Sequence, residues 1–236
     1  MAACRLFCIP HAGGAAGSYR KWRRVLSPEF DVIPLELAGR GTRAQEPYHQ
    51  QVEACVEDLY RRIRAGCQED APYVVLGHSM GSLLAYELVH RIQQDGAPMP
   101  SCVVLSGRRA PHHELEKFPL HETDEELIRE VAAYGGVSQD LMKSGMAELF
   151  WPVLRADLTM MQQYRLEEER ERLDCDFLVL YGEDDALAVR EQVEEWGRYT
   201  SGTCEVFRFD GGHFFLHDHV GKVARLIASK LGSCAT

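Results

Sequence analysis

Apolar residues along this chain fall into two kinds of stretch: short continuous runs, and longer segments in which they recur every third and fourth position. The short runs are RLFCIP from Arg5, DVIPLEL from Asp31, YVVLGH from Tyr73, CVVLS from Cys102, DFLVLY from Asp176 and CEVFRF from Cys204. Rich in branched residues and bounded by Gly, Pro or Asp, they predict short buried strands. The periodic segments predict helices. Val52, Cys55, Val56, Leu59, Tyr60 and Ile63 form one stripe with charges opposite, and Val220, Val223, Ala224, Ile227 and Leu231 form another. Further helices are expected over Ser18 to Leu26, after Ser79, and over Val189 to Tyr199. Strands alternating with helices imply an α/β fold, a mostly parallel sheet flanked by helices, with active residues beyond the carboxyl ends of the strands.

One interval breaks the alternation. The 66 residues from Gly107 to Arg172 exceed any ordinary crossover and must hold structure of their own. They predict a helical lid insertion, 107–172, within a single domain spanning 1–236. Its helices are expected at Asp124 to Tyr134 with Thr123 or Asp124 as cap, Ser138 to Met142, and Met146 to Tyr164, jointed at Gly135-Gly136. Phe118, Met142, Met146, Phe150, Trp151, Leu154, Leu158, Met160 and Met161 give this segment flexible and bulky apolar surface. That surface suits either an acyl slot or the lid's own core.

Composition narrows the partners. The net charge of −10 argues against nucleic acid, and no apolar run approaches membrane-spanning length. With no secretory-type leader, the reading is a cytoplasmic protein, expected to be monomeric. The eight cysteines are scattered without a C-x-x-C pair, which predicts reduced thiols, and no His/Cys spacing suits zinc, so no metal is expected. Charge is uneven: residues 1–64 hold ten Lys and Arg against seven Asp and Glu, the rest sixteen against twenty-nine. Arg20, Lys21, Arg23 and Arg24 form either a docking face for an acidic protein or an ordinary solvated helix face.

The chemistry centres on Gly77-His78-Ser79-Met80-Gly81, a G-x-S-x-G turn between a strand and a helix. Glycines on either side let strand and helix approach while Ser79 is held out as a nucleophile. A serine hydroxyl needs a base, and the base an orienting carboxylate. After DFLVLY come Gly182-Glu183-Asp184-Asp185, and after CEVFRF come Asp210-Gly211-Gly212-His213. Ser79, then Asp184 or Asp185, then His213 is the chain order of α/β-hydrolases. His213 alone among ten histidines meets the positional demands. His217 and His219 are expected on the surface of the next helix, His78 as packing, and His11 in a pocket wall. Met80 and Ala12, in the HAGG loop, are placed to offer two backbone N–H groups to an oxyanion.

FCIPHAGGAAGSYRKW, LELAGRGTRAQEP, LGHSMGSLLAYEL, PVLRADLTMMQQY, LYGEDDALAV with the following EEW, and FDGGHFFL together resemble the type II thioesterases, the editing enzymes of nonribosomal peptide and polyketide assembly lines. The resemblance implies an α/β-hydrolase fold that begins without the early antiparallel strands of larger hydrolases. It favours Asp185 as the acid and implies a mobile helical cap. It also implies a thioester substrate borne on the phosphopantetheine of an acyl or peptidyl carrier protein, with no cofactor of the enzyme's own. Ala38 departs from the family pattern, where proline is usual. An esterase or lipase, a medium-chain fatty acyl-carrier thioesterase, an acyl transferase or cyclase, and a silent hydrolase-fold binding protein are the rival readings.

Overall fold

The computed structural model describes residues 4–26, 28–66, 71–113, 120, 123–133, 147–166 and 170–233. Its strands are β1 (Cys4–Ile9), β2 (Phe30–Pro34), β3 (Tyr73–His78), β4 (Cys102–Ser106), β5 (Phe177–Gly182) and β6 (Cys204–Phe209). The helices are α1 (Arg20–Leu26), α2 (Val52–Gly66), α3 (Met80–Gln94), α4 (Asp124–Ala133), α5 (Ala147–Gln163), α6 (Arg190–Glu194) and α7 (Val220–Ser233). The strands form one sheet in the order β2-β1-β3-β4-β5-β6, parallel at every described pairing.

Strand side chains alternate between two apolar cores. Phe7, Val75, Val103, Leu105 and Phe177 pack with α2 and α3, while Leu6, Val74, Leu76, Val104 and Leu178 pack with α1 and α7. Burying such a residue is worth about 1.5–3 kcal/mol, so both cores are needed to fix the sheet. The connection after β1 therefore runs to one face and that after β3 to the other. Their divergence opens a crevice at the carboxyl ends of β1 and β3, where open α/β sheets place their chemistry.

Element limits differ from the sequence expectation where backbone chemistry intervenes. DVIPLEL forms a strand only as far as Pro34, which has no N–H to offer at this sheet edge. Leu35 still donates to the Cys8 carbonyl at 2.9 Å before the chain leaves the sheet. The helix expected from Ser18 begins as a 3-10 turn over Ala16–Tyr19, and the one expected to Tyr199 tightens to 3-10 over Glu195–Tyr199.

Between β4 and β5, Thr123 caps α4 reciprocally. The Thr123 hydroxyl accepts the Glu126 N–H at 3.4 Å, and the Glu126 carboxylate accepts the Thr123 N–H at 3.1 Å. Leu127, Trp151, Leu154 and Leu158 form a small core between α4 and α5, against which Ala12 and Phe150 pack. Met160 and Met161 join the main core instead. Much of the apolar surface expected for a slot is thus interior to this segment. The expected helix at 138–142, the Gly135-Gly136 joint, and Phe118, Met142 and Met146 lie outside the described residues.

Candidate active site

The turn after β3 is held by contacts that only glycine permits. A Cβ on Gly77 would stand 2.0 Å from the Gly81 carbonyl oxygen, and one on Gly81 would stand 2.3 Å from that of Ile9. Between them Ser79 adopts φ 55° and ψ −115°, and it is the one non-glycine residue with positive φ among the described residues. Such a conformation costs on the order of 1–3 kcal/mol and persists only where surroundings enforce it. The enforcement is visible. The Ser79 N–H donates to the Ser106 carbonyl at 2.8 Å, and the buried Ser82 hydroxyl accepts the Ser106 N–H at 2.9 Å. Ser79 itself remains half-buried at the carboxyl edge of the sheet.

His213 and Asp185 meet across the ends of β5 and β6. His213 Nδ1 lies 2.9 Å from Asp185 Oδ2, and Asp185 Oδ1 accepts the Leu187 N–H at 2.9 Å. Both side chains are buried, whereas Asp184 is exposed, so the structure brings Asp185 and not its neighbour to the histidine. With Nδ1 engaged by the carboxylate, Nε2 is the nitrogen left for proton transfer. The ring lies 5.1 Å from that of His78, the residue before Ser79. No hydrogen bond joins the Ser79 hydroxyl to His213 among the described residues; such contacts often tighten only in a substrate complex.

Ala12 follows β1 in a turn closed by the Gly14 N–H donating to the His11 carbonyl at 2.9 Å. Met80 opens α3, where the first N–H groups have no partner within the helix. Neither N–H has an acceptor within the protein among the described residues. Two donors at the ends of adjacent strands β1 and β3 thus flank the turn that carries Ser79.

Four histidines crowd this edge. His78 is fully buried with Nδ1 3.0 Å from the Ser106 hydroxyl, and burial, reinforced by His213 and His11, holds its pKa well below 6.5. His11 stacks edge-on to Phe214, and burial beside His217, His213 and Arg40 lowers its pKa to about 3. Both are neutral walls of the site. His217 departs from the sequence expectation. It lies in a 3-10 turn, Phe215–His217, half-buried, with its ring 6.2 Å from His11 and 5.9 Å from Tyr19. The glycines of the preceding loop allow the chain to turn inward there before α7 begins. His219, just before α7, is half-buried and donates to the Asp210 carbonyl at 3.0 Å.

Two groupings were not foreseen from sequence. Arg40 and Asp157 form a buried, two-pronged ion pair beside the Ala12 loop, with both N···O distances 2.6 Å. Each lay in a noted motif, but nothing in their spacing pairs residues so far apart in sequence. His112, His113 and Glu195 also converge, their candidate ligand atoms within 4.8 Å of one another, in a pattern that could hold a metal ion. The sequence expectation of no metal rested on linear spacing and could not see such a group. Its atoms already satisfy each other: both imidazoles meet the Glu195 carboxylate, and the Tyr199 hydroxyl lies 2.8 Å from His112 Nδ1.

A family model described as the thioesterase domain matches residues 4–231. The probable cadicidin biosynthesis thioesterase of Streptomyces griseus is 34% identical over 235 residues, covering 97% of this chain and 63% of that protein. A relative from Brevibacillus parabrevis named linear gramicidin dehydrogenase LgrE is 30% identical over 233 residues, 97% of this chain and 88% of its own. Its name differs from the family's, and the geometry around Ser79 sides with the family. The type II thioesterase BorB from the borrelidin biosynthetic cluster superposes with a TM-score of 0.88 at 29% identity, over 97% of this chain and 93% of BorB. No helix among the described residues is long and apolar enough to cross a membrane. A match over nearly the whole chain, on a fully parallel sheet with a strained serine turn, makes this chain a member of the thioesterase-domain family of α/β-hydrolases.

Proposed function

We propose that this thioesterase hydrolyses acyl or aminoacyl thioesters on the phosphopantetheine arm of carrier proteins, in an editing role. The observation that carries the reading is the buried Asp185–His213 pair at the sheet edge that presents Ser79. Ser79 attacks the thioester carbonyl while His213 takes its proton. The Ala12 and Met80 N–H groups hold the oxyanion, and the carrier thiol leaves with the proton from His213. Water, activated by the same imidazole, then releases the acid and restores Ser79. Asp185 fixes the imidazole tautomer and stabilises its cation. The cycle uses only side chains, main-chain donors and water, so it invokes no cofactor.

The 107–172 segment acts in this reading as the cap of a single domain, since α5 lies against the Ala12 loop. Exposed Arg20, Lys21 and Arg24 on α1 supply a positive face for an acidic carrier. The free, mostly buried cysteines suit a reducing cytoplasm. Val25 and Val189 are the large apolar side chains exposed among the described residues, which suits a monomer.

The test is to incubate the protein, and Ser79→Ala beside it, with a panel of acyl and aminoacyl carriers, following acyl loss by intact mass, with p-nitrophenyl esters in parallel. Rapid unloading of carriers that the variant abolishes supports the reading. Strong ester turnover with untouched carriers assigns the protein to the esterases instead.

A further inference from the structure

Three segments distant in sequence converge on one buried carboxylate. Asp157 of α5 is 3% exposed, and Arg40, from the Gly39-Arg40-Gly41 loop, is 6% exposed. Arg40 Nη1 donates to Asp157 Oδ2 and Nη2 to Oδ1, each at 2.6 Å. The same Oδ2 accepts the Gly13 N–H at 2.8 Å, and Arg40 Nη1 also donates to the Gly14 carbonyl at 3.1 Å. Guanidinium and carboxylate thus grip the backbone immediately after Ala12 by one N–H and one C=O.

Packing reinforces the same connection. Gly13 has φ +75°, and a Cβ there would stand 2.8 Å from Phe150 and 3.3 Å from Leu154, both on α5. Ala12 packs against the core shared by Leu127, Trp151, Leu154 and Leu158. The Ala12 loop therefore takes its shape from α5 as well as from β1. Apolar packing alone could dock the helix, and an apolar pair is often as stabilising as a buried ion pair. What the ion pair adds is direction, because a two-pronged guanidinium–carboxylate contact fixes orientation as well as distance.

We infer that Arg40 and Asp157 are positioning residues that aim the Ala12 N–H at the oxyanion when α5 is seated, coupling the cap to the chemistry. The inference rests on the proposed role of Ala12. Loss of an oxyanion donor lowers kcat by about 10²–10³-fold, and small misplacement can cost on the order of 10²-fold. Disturbing the pair while leaving the loop in place should fall somewhat short of that.

The experiment compares wild type with Asp157→Asn, Arg40→Lys and the double variant Arg40→Leu/Asp157→Leu. Active sites are counted with a fluorophosphonate, so that misfolded protein does not enter the rate. We expect kcat per active site to fall about 10–100-fold in all three, with KM for a small acyl thioester within about threefold. The affinity of an alkyl boronic acid, whose tetrahedral adduct occupies the oxyanion position, should fall by a similar factor. The double variant separates positioning from stability: it should regain thermal stability over the single variants without regaining kcat. Unchanged boronate affinity, or wild-type kcat in the double variant, overturns the inference. Failure of the wild type on every carrier thioester would sink the carrier reading instead, while the boronate comparison would still decide the role of the pair.

Discussion

Acid should unfold this protein through His78, and the effect can be isolated. The ring is fully buried, bonded to the Ser106 hydroxyl, and held neutral by burial and by the neighbouring His213 and His11. Once unfolded, it titrates near 6.5. A histidine whose folded pKa is depressed binds its proton more readily in the unfolded chain. Its contribution is therefore intact above about pH 6.5 and is lost as pH falls toward the depressed folded value. While the folded ring stays neutral, moving from pH 7 to pH 5 costs about 2 kcal/mol for this one group, near 1.4 kcal/mol per pH unit at the lower end. His11, with a folded pKa of about 3, adds a second loss of the same sign and similar size. Together they remove a large share of an ordinary stability of about 5–15 kcal/mol. The assay is urea unfolding of wild type and His78→Asn at pH 7, 6 and 5. The substitution itself costs stability at every pH, but that offset cancels in the slope. Wild type should lose about 2 kcal/mol more than the variant between pH 7 and pH 5. Equal slopes would refute the reasoning.

Replacing Ser79 with Gly should abolish turnover yet raise the melting temperature by about 2–4 °C, because glycine relieves roughly 1 kcal/mol of strain at φ 55°. A lower melting temperature would show that the turn is unstrained. Asp185→Asn preserves the shape around His213 but offers the wrong hydrogen-bonding partner at Nδ1, and kcat should fall by about 10⁴-fold with little change in KM; single-turnover acylation would measure it. The double reversal Lys21→Glu/Arg24→Glu should raise KM for carrier-bound substrate about tenfold at low salt and leave small thioesters untouched. Equal loss on both substrates would remove α1 from the docking surface.

The strands and the chemistry could be read from the chain because both are local. Each strand is a short apolar run, and each proposed catalytic residue follows one, so a linear motif records its place in the fold. The residues by themselves leave Asp184 and Asp185 open, and only the family resemblance favours Asp185, because the choice is not local. It depends on which carboxylate turns inward where the loops after β5 and β6 cross, and the structure turns Asp185 inward. His217 was misjudged for a related reason: its apparent place beside α7 hid a separate 3-10 turn that folds its ring against His11 and Tyr19. The Arg40–Asp157 pair was out of reach because its partners belong to different layers, and only the seating of α5 brings them together.

The crossing of loops also explains how a base from β6 reaches a nucleophile on β3. Two strands, β4 and β5, stand between them in the sheet, a span of about 14 Å at ordinary strand spacing. β5 and β6 leave the sheet at the same level, Gly182 opposite Phe209, so acid and base begin side by side. A Cβ on Gly182 would stand 2.5 Å from the Gly211 carbonyl oxygen, so glycine there lets the loop after β6 fold across the end of β5. Gly107 does the same at the end of β4: with φ +62°, the place of its missing Cβ is 2.7 Å from His78 and 3.5 Å from His213. The two glycines mark successive crossings on the path from β6 to the serine turn. A side chain at either would obstruct the base's approach while leaving the strands themselves intact, which is why these positions belong to the site although neither carries a reacting group.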